Sequence, residues 1–405
     1  MSGTSISSLP PPVFLSDADG LDPTLILADM IAMFEQVTGR TLYPAQVERL
    51  LINLYAYREA LIRNAIQYTG QQSLLAFASY PAIDYLGQLL GVSRLASVAA
   101  TCTIQFTLTR ALTVPFTVAA GTQVGTSDGN FIFSTNAALI IPTGSTSGSV
   151  AATCTTAGSA ANGYLAGQVD ILLGADALIA SVANTSTTVG GSEGESDNHL
   201  RVRIQAAPNQ FSTAGPSGAY RYWTLTADST IVDAQVTSLA PGTVDVYVLT
   251  GPITVQPSPS PNSIGIASSG VLAEVVAILN TATVRPLTDT VNVAAVTEVD
   301  YTVTATVTMF ANAPSSATEA AAYAAAQELA LTLAGSVQND IVPSQWVAAL
   351  SVSGVYEATV TLAANIGGSG LTPEGDGRFV LTAGQWANCT AISITYETAM
   401  ESQPA

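Results

Sequence analysis

Hydrophobic positions change their period along this chain, and the changes divide it. Between residues 21 and 96 apolar residues recur every three or four positions. Asp22-Pro23 sets a capping carboxylate before a proline at the first helical position. A helix is expected there, with Leu27, Met30, Ile31, Phe34 and Val37 as its apolar stripe and Gly39 as its stop. A longer helix is expected from Pro44 to Gly70. Along it Val47, Leu50, Leu54, Tyr57 and Leu61 alternate by three and four, the spacing of a coiled-coil seam. At about 1.5 Å per residue that helix runs roughly 40 Å, longer than a compact core of this size requires. Residues 71–95 predict one or two shorter helices, the last opened by Pro81 and stopped by Gly91.

From about Thr101 the period becomes two. TCTIQFTLTR alternates, and FIFSTN, ALIIP and VDILLG follow with Gly, Asn, Ser and Thr turns between them, which predicts a small sandwich or barrel. Beyond residue 190 the periods mix. Helices are expected at Ser217–Thr226 and Ser269–Asn280, and strands at Ile231–Ser238, Thr243–Thr250 and Thr290–Ala295, with a Pro/Ser-rich loop at 251–262. The last part predicts a strand at Tyr301–Phe310, helices at Ala317–Gly335 and Pro343–Ser351, and strands at Tyr356–Leu362, Phe379–Leu381 and Ala391–Tyr396. The fold class is therefore α+β multidomain: an N-terminal helical bundle segment, a β-rich domain and two mixed α/β domains. The expected boundaries are a flexible lead at 1–20, the helical segment at 21–96, the β-rich domain at 97–189, a central domain at 190–296 and a C-terminal domain at 297–405.

One stretch breaks the pattern. GGSEGESDNHLRVR, residues 190–203, gathers Glu193, Glu195, Asp197, Arg201 and Arg203 in a protein only 10% charged. Gly190 and Gly191 supply loose backbone, and Ser196 or Asp197 can cap a short helix holding His199, Leu200 and Arg203. Acidic residues before the helix and arginines inside it suit its dipole. A hinge between domains is expected at Gly190–Gly191. The carboxylates are expected to pair with Arg201, Arg203 or a neighbour's arginine, or to solvate a turn. Calcium binding is a weaker alternative, because no EF-hand spacing is present. Arg285 before Pro286 is expected either to pair with a carboxylate or to be solvated, and Asp376 to serve a turn.

Composition removes several functions. The net charge is −18, and all eleven basic residues are arginines. Such a field repels phosphate backbones and anionic membrane faces, so neither nucleic acid nor membrane is an expected partner. With no lysine there is no P-loop and no Schiff base, and a single histidine excludes a zinc-protease motif. No cofactor is expected. Cys102, Cys154 and Cys389 lack metal-ligand spacing and read as small buried hydrophobes. The start of the chain lacks a signal-peptide pattern. Hydrophobic residues are nonetheless 48% of the chain, which implies that much of the surface is covered by partners.

Several segments in order resemble the baseplate J family of contractile-tail phages and related injection machines. YREALIRNAIQYTGQQSLLAFASYPAIDYLGQLLGVSRL is similar to the helical head of P2-type members, and GGSEGESDNHLRVRI resembles the family's acidic entry into its central domain. PGTVDVYVLT resembles the strand that follows, and VRPLTDTVNVAAVTEVDYTVTATV the Arg-Pro-Leu-Thr junction between domains. SQWVAALSVSGVYEATV and LTAGQWANCTAISITY resemble the last domain. These segments total 121 of the 405 residues and are spread from Tyr57 to Tyr396; residues 98–188 resemble the family in position and character only. The resemblance implies a non-enzymatic wedge subunit that joins wedges into a ring around the central spike and relays the rearrangement that triggers sheath contraction. The partners it implies are a second copy of the chain, a wedge protein of the tail-protein I type, and other wedge, hub and sheath-initiating baseplate proteins. The implied location is the tail baseplate of the virion, with assembly in the host cytoplasm. Val47, Leu50, Leu54, Tyr57 and Leu61 would then be the bundle seam. Gly190, Gly191, Glu193, Glu195, Asp197, Leu200, Arg201, Arg285 and Pro286 would be the hinge and family motif.

Two rivals compete with this reading. A secreted or surface β-rich adhesin suits the Thr/Ser/Gly richness, yet a secretion signal and repeats are missing from the sequence. A polysaccharide-degrading tail enzyme would need acids and aromatics gathered in a groove, and aromatics are only 7% and scattered.

Overall fold

The computed structural model describes residues 10–14, 22–174, 176–212, 215–251, 265–399 and 401. Most of the expected lead at 1–20 and of the Pro/Ser-rich loop at 251–262 lies outside the described residues. The chain forms two compact units, Met1–Arg94 with Asp197–Ala207, and Leu95–Ser196 with Pro208–Ala405.

The smaller unit is helical. Helix α1, Pro23–Thr38, is capped as its ends predict: Asp22 accepts a hydrogen bond from the Thr24 N–H, and Gly39 closes it at φ 67°. Helix α2, Val47–Gln72, starts three residues after Pro44. A turn intervenes, in which Gln46 Oε1 accepts the Tyr43 N–H at 3.1 Å. Ala56 and Ala60 of α2 pack on Ile26, Leu27 and Met30 of α1; small side chains on one helix let the two backbones approach. Val37, expected on the α1 stripe, is instead 80% exposed. The Gln67 carboxamide accepts the Phe14 N–H and donates to the Pro12 carbonyl, which ties residues 12 and 14 of the expected lead to α2. Among the described residues between 73 and 95 there is one helix, α3, Ala82–Gln88, with Ile83 buried. Helix α4, Asp197–Ala206, buries Leu200 and Ile204. A Cβ at Gly87 would lie 2.8 Å from the Val92 carbonyl oxygen and 3.2 Å from the Ile204 side chain of α4, so glycine suits this close approach.

Among the described residues, three large hydrophobic cores lie in the larger unit. Strands β1 (Ala99–Leu108), β2 (Phe116–Val118), β3 (Gln123–Thr126), β4 (Ile132–Thr135), β5 (Leu139–Ile141), β6 (Ser147–Ala157), β7 (Val169–Leu173) and β8 (Ile179–Asn184) build the first. Six of them run in the order β7-β3-β4-β6-β1-β8, and β2 pairs with β5. The sheet curls into a nearly closed barrel whose two edges approach at Asn184, where Oδ1 accepts the Val169 N–H at 2.9 Å. Cys102, Ile104, Phe106 and Leu108 alternate into its core.

The second core lies under the sheet β11-β10-β9. It is made by α5 (Ser217–Ala227), β9 (Ile231–Thr237), β10 (Thr243–Thr250), α6 (Ser269–Leu279) and β11 (Thr290–Ala295). Tyr220, Leu225, Val246, Val248, Val275 and Leu279 fill it. Among the described residues Arg285 has no carboxylate partner: its Nη1 donates to the Asp289 carbonyl at 3.0 Å, while Asp289 Oδ2 accepts the Tyr220 hydroxyl. The junction turn is held through backbone, so a carboxylate partner is unnecessary.

The third core belongs to β12 (Thr297–Met309), α7 (Ser315–Ala334), α8 (Pro343–Leu350), β13 (Val355–Ile366), β14 (Ser369–Gly370) and β15 (Gln385–Thr398). The sheet order is β14-β13-β12-β15, with β12 and β15 parallel. Tyr301 and Trp346 meet edge to face inside it. The strand expected at Phe379–Leu381 is only a bridge from Phe379 to Ile341, because the Asp340 carboxylate takes the Leu381 N–H. Trp386 joins the second and third cores, packing with Leu249 and Val296 and donating Nε1–H to the Ala334 carbonyl. Gly384, at φ 77°, has no substitute there: a Cβ would sit 2.5 Å from the Tyr247 ring.

Candidate assembly surface

The acidic stretch is taken up by structural bonds. The Glu193 carboxylate accepts from both the N–H and the hydroxyl of Ser159 at 2.8 Å, and these bonds hold its carboxyl below the usual range. Glu195, 3% exposed, accepts the Leu95 N–H at 2.9 Å while its own N–H donates to the Leu95 carbonyl. Of the pair Gly190–Gly191, expected as a hinge, Gly191 is held by hydrogen bonds. Asn162 donates to the Gly191 carbonyl at 2.7 Å and accepts its N–H at 2.9 Å, and a Cβ at Gly191 would lie 2.4 Å from the Gly158 carbonyl oxygen. A glycine pair permits looseness, and the long-range hydrogen bonds at Gly191 oppose it.

Asp197 pairs with Arg94 at 2.6 Å, not with an arginine of its own stretch. Arg94 also forms a two-pronged bond to Asp84 and lies over the Tyr80 ring. The other Asp197 oxygen accepts the Tyr80 N–H. Burial pushes the Asp197 carboxyl up, but the Arg94 and Tyr80 bonds outweigh it and leave the group below its ordinary value. Arg201 donates to the Leu75 and Ala78 carbonyls at 2.7 Å and to Asn198; Arg203 donates to the Ser93 carbonyl. Leu200 is fully buried. These residues fasten α4 to the rest of the helical unit, a tie of more than a hundred residues in sequence that local pattern cannot reveal. Among the described residues no group of three or more His, Cys, Asp and Glu side chains is placed to hold a metal ion, and no helix is long and apolar enough to cross a membrane.

The larger unit carries an open cleft of about 500 Å³, with Asp228 and Glu274 in its wall. Burial, followed by the nearby Asp228 charge, raises the Glu274 carboxyl. The described lining contains no aromatic side chain and no arginine, so it lacks the platform on which a sugar ring stacks.

What stands out is helix α2. At about 100° per residue its side chains fall into three stripes roughly 120° apart. One, with Ala56, Ala60 and Gln67, is covered within the unit. The seam of Val47, Leu50, Leu54, Tyr57 and Leu61 is 49% to 68% exposed. A third stripe, Leu51, Tyr55, Ile62 and Ile66, is 49% to 65% exposed. Sequence reading missed it, although its four-seven-four spacing was available. A helix apolar on three sides and covered on one has two faces left for other chains.

Family profiles match the chain in three consecutive pieces. The barrel domain of Baseplate J-like proteins matches residues 103–191, their central domain residues 212–295, and their C-terminal domain residues 301–395. Baseplate protein J of Escherichia phage P2 is 37% identical over 161 residues, which is 40% of this chain and half the length of that relative. A chain of the anti-feeding prophage baseplate is similar over 90% of both chains, at 15% identity and a TM-score of 0.43.

Proposed function

From the premise that this chain belongs to the baseplate J-like family, we propose that it is a subunit of the baseplate wedge in a contractile tail. Its role in a baseplate is structural. In this reading it joins wedges into a ring around the central spike and relays the rearrangement that triggers sheath contraction. Helix α2 binds two further helices, one on the Leu54 stripe and one on the Ile62 stripe. A second copy of this chain and a smaller wedge protein of the tail-protein I type supply them. C-terminal domains of neighbouring subunits meet around the ring, and hub and sheath-initiating proteins complete the contacts. The protein works in the virion's tail baseplate and is assembled in the host cytoplasm.

The observation that carries this reading is the succession of barrel, central and C-terminal family domains along one chain. The two uncovered apolar stripes of α2 support the bundle. Neither the described cleft nor the acidic stretch offers a better account: the stretch is spent on internal bonds, and the cleft lacks aromatic walls. The test is co-expression with the neighbouring tail genes and mass determination of what co-purifies. Two copies of this chain with one smaller tail protein is the expected composition. A monomer that ignores those partners would remove the wedge assignment.

A further inference from the structure

The sequence DYTVTATVT in β12 builds a surface that the helical bundle does not use. Val303, Ala305 and Val307 face the third core, so Thr302, Thr304, Thr306 and Thr308 face away from it. Register extends this face across the neighbouring strands. Thr304 lies between Thr361 and Ser393, and Thr306 between Thr359 and Thr395. Five of those six are exposed and Thr306 is half-buried. The next row is Glu357, Thr308 and Glu397. Neither glutamate has a hydrogen bond or ion pair among the described residues, and strand spacing sets them about 10 Å apart. At the opposite end Glu298 and Asp300 share the Asn388 amide. The face is thus a hydroxyl-rich, uncharged plane with carboxylates at both ends.

We propose that this face is the docking surface for a different protein, one presenting a flat, uncharged patch bordered by two basic side chains about 10 Å apart. The larger unit of a second copy does not fit. A two-fold contact of the face with itself, with its axis along or across the strands, sets acid against acid. The larger unit has four arginines against twenty carboxylates, and three of the four are committed: Arg221 to Asp233, Arg378 to Asp376, and Arg285 to the Asp289 carbonyl. The plane itself offers roughly 300 Å² by strand geometry, less than half the ~800 Å² per partner of a standard interface. The glutamate edge therefore belongs to the contact, and it selects the partner by charge.

The experiment uses assembled baseplates carrying Thr361→Cys, a position at the centre of the face; the three native cysteines are buried. The new thiol is loaded with a photo-cross-linker, the particles are illuminated, and the joined peptide is sequenced. The expected result is a peptide from another baseplate protein that contains arginine or lysine. Adding Glu357→Gln and Glu397→Gln should lower the cross-link yield about tenfold at low salt, and the difference should vanish at high salt. A cross-link to this chain's own peptide, or to a peptide without basic residues, overturns the proposal. So does a thiol labelled as fast in the particle as in the free chain. These outcomes do not depend on which helices α2 binds.

Discussion

Replacing Leu54 by aspartate separates the folded chain from the assembled one. Leu54 is 57% exposed in the single chain, so the substitution should change its stability by no more than about 0.5 kcal/mol. Ala56, two residues on and facing the opposite way, is 2% exposed; aspartate there would break the α1–α2 contact itself. In the bundle the arithmetic reverses. Covering the remaining half of a leucine recovers about 1–1.5 kcal/mol of its burial free energy, and the substitution forfeits that. Setting an unpaired carboxylate in the seam adds at least ~2 kcal/mol of desolvation. A total of about 3–4 kcal/mol weakens association at least a hundredfold. The assay is co-expression followed by native mass spectrometry, with thermal unfolding of the purified chain as the control for folding. Intact wedges from Leu54→Asp at wild-type yield would refute the seam. A shift in the melting temperature of more than a few degrees would refute the claim that this face is free in the single chain.

Three further outcomes follow from the internal bonds. Gly191→Ala forces a Cβ against the Gly158 carbonyl and should cost about 1–3 kcal/mol in barrel unfolding; a free hinge would accept alanine without loss. Asp197→Asn removes a partly exposed pair with Arg94, worth up to ~1 kcal/mol, so hydrogen exchange in α4 should quicken a few-fold at neutral pH. Because the Asp197 carboxyl is held below its ordinary value, its contribution is present above about pH 4 and lost as pH falls through the folded-state value; wild type and variant should converge in acid, and a constant gap at every pH would contradict the pairing. Burial pushes the Cys102 and Cys389 thiols up to about 11, so a disulfide reagent at pH 8 should modify neither until the protein unfolds, and rapid reaction of the native chain would contradict that burial.

The long helices were legible because a cap, a stripe and a stop agree at each end, as Asp22, Leu27 and Gly39 do for α1. Strand β12 was legible through strict alternation. Strand β6, SGSVAATCTTA, was not singled out, since alanine, threonine and serine suit either face and leave little contrast between them. The part of the acidic stretch that misled was Gly190–Gly191, because turn-forming residues reveal permitted conformations while Asn162, 29 residues away, decides the actual one. Arg94 as the partner of Asp197, and α4 as a member of the helical unit, are likewise contacts made only by the folded chain. The second apolar stripe of α2 was in plain sequence but was masked by the stronger heptad beside it.

The central claim is that α2 carries this chain into a wedge through two apolar faces, and a cryo-EM map of the particle's baseplate tests it most directly. The account predicts α2 packed by two additional helices, one against Leu54 and one against Ile62, with the barrel, central and C-terminal domains continuing into the ring. A map in which α2 stands in solvent, or in which the chain is absent from the baseplate, would contradict it.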